Sequence, residues 1–136
     1  MTERVFFYGT LRTGFTRRPQ IGIDSKLAFV GRGSIHALLF DLGIYPAAVP
    51  GDGRVWGELF ETDDPATVLA SLDAIEGYRP AAPEQSLYTR VRAPVVLENG
   101  RTLTAWVYFY NAPLGQAPQI PSGDYLEHLE KDKKEK

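Results

Sequence analysis

The stretch from Ser86 to Asn111, SLYTRVRAPVVLENGRTLTAWVYFYN, limits most sharply what this chain can fold into. Two runs rich in β-branched and aromatic residues flank Asn99-Gly100, the pair that supplies both positive φ angles of a type I′ turn. The expected product is a long antiparallel hairpin. Three more strand signals join it. Val5 to Tyr8 is a short continuous apolar run of the kind found in central strands, and Leu27 to Gly43 is β-rich but interrupted by Gly31 and Gly33, which predict a bulge or bend that lets a sheet curl. Val55 to Thr62 alternates. Between these, GIYPAAVPGDGR (43–54) reads as a loop, and GFTRRPQIGIDSK (14–26) as a second one, long enough for a short helix or a flap.

One strong helix signal lies among the strands. In DDPATVLASLDAIEG, Asp63 or Asp64 serves as N-cap, Pro65 sits just inside the start, and Gly77 sits just past the end. A second short helix is expected in PSGDYLEHLEK, capped by Ser122 or Asp124, and the charged residues after it read as a solvated, flexible tail over 127–136. Many antiparallel strands with one or two helices laid across them give an α+β chain with a curled sheet or a small β-barrel. At 136 residues, with 43% hydrophobic and 24% charged residues, it is expected to be one domain over 1–126.

Composition narrows the function classes. Without cysteine there is no thiolate nucleophile, disulfide or Cys-type metal centre, and His36 and His128 have no metal-ligand spacing, so no metal or cofactor is expected. Fifteen Lys and Arg against 17 Asp and Glu leave no basic footprint for nucleic acid. The start MTERVFFYG lacks the features of a signal peptide, and no apolar run is long enough to span a bilayer; a soluble, cytoplasmic protein acting on a small molecule is expected.

Two places carry chemistry. At about 100° per residue, Val68, Leu69, Leu72 and Ile75 occupy one arc of the helix, and Glu76 falls inside it. A carboxylate there points at the core from the last turn, where the negative end of the macrodipole disfavours it. Burial and dipole both raise its pKa into the range of a competent base. The alternative is that Glu76 turns to solvent or pairs with Arg79. Asp73, at the edge of the arc, reads as a solvated helix residue. The second place is FFYGTLR, where a strand breaks into Gly9-Thr10. Such a turn can aim successive N–H groups at a carboxylate or oxyanion, with glycine permitting close approach, Tyr8 forming a wall and Thr10 adding a donor. Taken by itself, a Gly-Thr pair can equally be a plain turn.

YGTLR after the first strand, LDAIEGY at the helix end, YTRVRAPV, WVYFYN and PSGDY occur in an order that resembles the γ-glutamylcyclotransferase-like family, including its γ-glutamylamine cyclotransferase (AIG2-like) branch. The resemblance implies a small mixed barrel. It implies that Tyr8, Gly9, Thr10 and Leu11 hold the α-amino acid end of a γ-glutamyl group and that Glu76 is the general acid/base. Tyr88, Tyr110 and Tyr125 become candidates for lining the cavity. It further implies conversion of a γ-glutamyl amine or amino acid to 5-oxoproline and a free amine by attack of the substrate's own α-amine, which needs no cofactor. A γ-glutamyl amidase or a non-catalytic binder of small acidic ligands is the alternative. Neither the leaving amine nor the oligomeric state can be read from the sequence, and the segment Gly14 to Ser25 has no interpretable pattern.

Overall fold

The computed structural model describes residues 2–15 and 17–134. Five strands, β1 (Glu3–Phe7), β2 (Ala28–Asp41), β3 (Pro46–Thr62), β4 (Tyr88–Leu97) and β5 (Thr102–Tyr110), close into a barrel in the order β1-β3-β2-β4-β5. All pairings are antiparallel except the closing contact of β1 with β5, which is parallel, with Val5 opposite Trp106. The sheet is therefore mixed. Three α-helices accompany it: α1 (Arg17–Gln20), α2 (Pro65–Glu76) and α3 (Tyr125–Lys134). No helix among the described residues is long and apolar enough to cross a membrane.

The uninterrupted apolar run of β1 follows from burial on both faces. Phe6 points into the barrel with Ile35, Leu39, Val55, Leu59 and Val107, while Val5 and Phe7 point outward into a second cluster with Val68 and Leu72 of α2. β5 divides its side chains in the same way: Ala105, Val107 and Phe109 fill the barrel, and Trp106, Tyr108 and Tyr110 face the outer layer. Both sides of the β1–β5 wall are thus packed, and α2 is held over it.

Helix punctuation follows the sequence closely. Asp64 is the N-cap of α2, accepting from the Thr67 N–H at 3.4 Å, and Gly77 ends the helix with φ 65°. The N–H groups of Gly77 and Tyr78 bond back to Ala74 and Asp73, closing a Schellman motif that only a residue tolerant of positive φ can make cheaply. Of the two caps expected for α3, Asp124 serves: its Oδ1 accepts from the N–H of Leu126 and Glu127, whereas Ser122 Oγ accepts from Asp124 N–H. α3 continues to Lys134, across most of the segment read as a tail; residues 135 and 136 lie outside the described residues.

Two local readings are corrected. The hairpin forms, but its turn is not type I′. Asn99 keeps a negative φ and only Gly100 is positive, at 90°. The Gly100 N–H bonds to Leu97 O and the Leu97 N–H to Arg101 O, a three-residue loop whose last member is the positive-φ glycine. Asn99 contributes through its side chain, accepting from Arg101 N–H at 2.9 Å. In β2 the register shift between Phe29 and Gly31 is the foreseen bulge, while a second shift lies at His36/Ala37. The segment 46–54 is not a loop. Pro46 to Pro50 pair with Asp41 to Ala37, and residues 51–53 bulge out before pairing resumes at Arg54. Proline is tolerated because Pro46 opens the strand and Pro50 adjoins the bulge, where no ladder donor is required.

Candidate active site

Strand β1 and helix α2 run to the same end of the barrel, so the turn after Phe7 and the last turn of α2 meet there. Val68, Leu72 and Glu76 recur every fourth residue on the buried face of α2, and Glu76 is 8% exposed. It lines a pocket together with Tyr8, Gly9, Thr10 and Leu11; Arg17, Tyr45, Pro46, Tyr88 and Tyr108 complete most of the wall. Among the described residues the Glu76 carboxylate has no hydrogen-bonding or ion-pairing partner. It is turned inward to the pocket and not paired with Arg79. Desolvation by burial raises its pKa from 4.5 to about 7, against the opposing charge of Arg17.

The turn opposite is closed by the Arg12 N–H bonding to Gly9 O at 3.0 Å. The N–H groups of Gly9, Thr10 and Leu11 are taken up by no turn or ladder bond among the described residues, as a nest for an anionic group requires. Gly9 has a further reason to be glycine. A Cβ there would stand 2.8 Å from the Pro46 ring, so the bare backbone lets the strand exit pass under β3. The Tyr8 hydroxyl is committed to the barrel. It donates to Tyr108 O at 2.6 Å and accepts from Ala48 N–H at 3.4 Å, and burial pushes its pKa well up. Tyr8 therefore offers the pocket a rigid wall, not a proton.

Two arrangements hold Glu76 in place. Arg17 Nη1 donates to Thr10 Oγ1 at 2.7 Å and its Nη2 to Ile75 O at 3.2 Å, which joins the turn to the helix end and satisfies a last-turn carbonyl with a cation. One turn back, Asp73 accepts from Arg90 Nε at 2.9 Å and from the Tyr108 hydroxyl at 2.6 Å. The reading of Asp73 as a solvated residue is thus corrected: it ties α2 to β4 and β5. Arg90 also lies 4.4 Å from the Trp106 ring centroid, which keeps its guanidinium fixed.

Of the aromatic candidates, Tyr88 is in the wall, with its hydroxyl donating to Pro46 O at 2.9 Å. Burial and the Glu76 charge both raise its pKa. Tyr110 packs edge-on against Tyr88, outside the pocket, and Tyr125 stacks on Phe15 beside the barrel core, also outside it. Sequence reasoning missed Arg17, Tyr45, Pro46 and Tyr108. The alternation of WVYFY could have found Tyr108, which shares a face with Trp106 and Tyr110; for Arg17 no local pattern gives notice. Among the described residues no cluster of His, Asp or Glu could hold a metal ion.

The sequence profile described as Gamma-glutamyl cyclotransferase, AIG2-like, matches residues 5–127. The chain belongs to this family. The γ-glutamylcyclotransferase family protein YtfP of Escherichia coli K12 is 32% identical over 125 residues, covering 91% of this chain and 96% of YtfP. The solution structure of E. coli YtfP superposes with a TM-score of 0.62 at 31% identity, covering 93% of this chain and 98% of that one. An AIG2-like protein of Mus musculus gives 0.69 at 26% identity, covering 91% and 88%. YkqA of Bacillus subtilis gives 0.74 at 25% identity over 98% of this chain, which spans only 43% of that longer protein. The family fold is the barrel described above.

Burial of Glu76 has a consequence for stability. Because the folded protein favours its protonated form, the contribution is fully present below about pH 4.5 and is lost as pH rises through about 7. A rise of this size corresponds to about 3 kcal/mol. Glu76→Gln, which cannot ionise, is expected to melt higher than the parent at pH 8, with a much smaller gap at pH 5. Melting curves of the two proteins at both pH values check this, and a gap independent of pH would show that Glu76 ionises freely.

Proposed function

We propose that the protein is a γ-glutamyl cyclotransferase that converts a γ-glutamyl amine or γ-glutamyl amino acid to 5-oxoproline and the free amine. The observation that supports this best is a buried, unpartnered glutamate with a pKa of about 7, facing a turn with free N–H groups inside one pocket. In this reading the N–H groups of Gly9, Thr10 and Leu11 and the Arg17 guanidinium hold the α-carboxylate of the glutamyl group. That anchor turns the α-ammonium toward Glu76. Glu76 takes a proton from the ammonium, and the freed amine attacks the γ-carbonyl carbon, closing a five-membered ring. The tetrahedral intermediate expels the amine as Glu76 returns the proton to the departing nitrogen, and the ring nitrogen gives up its second proton, which leaves with the amine as its ammonium form. One bond forms, one breaks, and no water is consumed.

The catalytic gain lies mostly in holding the substrate folded back on itself, since the nucleophile and the electrophile are already in one molecule. The fixed tyrosines serve that end: with their hydroxyls committed to Tyr108 O and Pro46 O, Tyr8 and Tyr88 present rigid ring surfaces. Incubation with a panel of γ-glutamyl amines and amino acids, read by mass spectrometry, is expected to give 5-oxoproline in step with the free amine. Free glutamate in its place would mark an amidase, and binding without any product a non-catalytic member of the fold.

A further inference from the structure

Next to the Glu76 pocket lies a wider, open compartment lined by Thr10, Phe15, Arg17, Ile44 and Tyr45. Three of these, Thr10, Arg17 and Tyr45, also line the Glu76 pocket, so the two spaces share a wall and a substrate can extend from one into the other. Resting on the cyclotransferase reading, the geometry points to this compartment as the site of the leaving amine, and to a leaving amine that is apolar and carries no positive charge.

The chemistry of the lining argues for that class. Phe15, Ile44 and Tyr45 supply apolar surface, and among the described residues that line the compartment the single charge is the Arg17 guanidinium and there is no carboxylate to receive a cation. Arg17 is fixed where the two spaces meet by its bonds to Thr10 and Ile75, and as a pure donor it gives a positively charged group nothing to bind. Ile44 supplies the independent observation. It is 84% exposed, at the tip of a short loop held by the Leu42 N–H to Tyr45 O bond, by the Gly43 N–H to Asp41 Oδ1 bond at 2.7 Å, and by Gly43 at φ 102°. Asp41 is itself tied to Pro118 O through its N–H and to His128. A branched aliphatic side chain so firmly presented to water adds nothing to the fold. Covered by an apolar leaving group, it would bury surface only when substrate is bound. Phe15, stacked on Tyr125, is the fixed opposite wall.

A matched pair of substrates tests this. γ-Glutamyl-n-hexylamide and the γ-glutamyl monoamide of 1,5-diaminopentane have leaving groups of equal length, one ending in a methyl and the other in an ammonium. The hexylamide is expected to have the higher kcat/KM by about tenfold or more, since the ammonium would lose hydration without gaining a partner. In Ile44→Glu the preference should narrow by about tenfold, because the new carboxylate receives the ammonium. If both amides give 5-oxoproline at similar kcat/KM in the parent, the leaving group does not occupy this compartment and the cyclotransferase reading stands. An unchanged ratio in Ile44→Glu would overturn the assignment of Ile44 in particular. If neither amide gives 5-oxoproline while both bind by calorimetry, the reading of the reaction fails and takes this inference with it.

Discussion

Glu76→Gln is expected to reduce turnover of a γ-glutamyl amine by about 10² to 10⁴, the usual contribution of a positioned general acid/base. The substitution is nearly isosteric, and Glu76 has no bonding partner among the described residues, so nothing structural is lost with the charge. On the cyclotransferase reading the parent protein should lose kcat/KM on the acid side with a midpoint near 7, as the base becomes protonated in the free protein. The glutamine variant should lack that limb. Loss of activity accompanied by a higher melting temperature at pH 8 would separate a catalytic role from a structural one, because a structural residue lowers both. Turnover at the parent rate would remove Glu76 from the mechanism.

The largest effect on folding is expected at Asp124, which does not line the pocket. Its Oδ1 accepts from Arg12 Nη1 at 2.9 Å, its Oδ2 from Arg32 Nη2 at 2.9 Å, and it caps α3. Burial pushes the Asp124 carboxyl up, but the bond and charge of Arg12, with help from the helix N–H groups and Arg32, outweigh burial and hold it below the usual range. Arg12 is 4% exposed, and its Nε has no partner among the described residues, so the aspartate is what makes its burial tolerable. Asp124→Ala should cost about 3 to 5 kcal/mol by leaving a buried cation unpaired, with about 1 more for the lost cap. For a domain of this size that lowers Tm by about 10 °C or more. Asp124→Asn, which can keep the cap, should fall between. A shift of only a few degrees in the alanine variant would mean that water reaches Arg12.

What was legible beforehand follows from how local each cause is. Glu76 could be found because helical periodicity and end punctuation are both written within fifteen residues, and its burial needed only that α2 pack on something apolar. The curl of the sheet could be found because Gly31 marks a bulge within its own strand. Asp73 could not. It is polar, at the edge of the apolar arc, and its partners Arg90 and Tyr108 come from two other strands that the barrel brings beside α2. Segment 46–54 was misread because proline and glycine normally mark loops; here the pairing of Pro46 to Pro50 with β2 prevails and the glycines are gathered into the bulge. Where the Tyr8 hydroxyl goes is not legible locally, since its acceptor, Tyr108 O, is 100 residues away. Arg17 lies in a segment without periodicity, and only the approach of the turn to the helix end gives it a role.

The most direct test of the central claim asks which nitrogen or oxygen attacks the γ-carbonyl. A γ-glutamyl amine acetylated on its α-nitrogen retains the carboxylate, the γ-amide and the leaving group but has an α-nitrogen too weakly nucleophilic to close the ring. Binding is measured by competition against the unmodified amine, so that a compound excluded by its acetyl group is not mistaken for an inert one. The expected result is competition without release of amine, while the unmodified amine yields 5-oxoproline under the same conditions. Release of the amine together with N-acetylglutamate would show that water is the nucleophile and would contradict intramolecular attack in the Glu76 pocket.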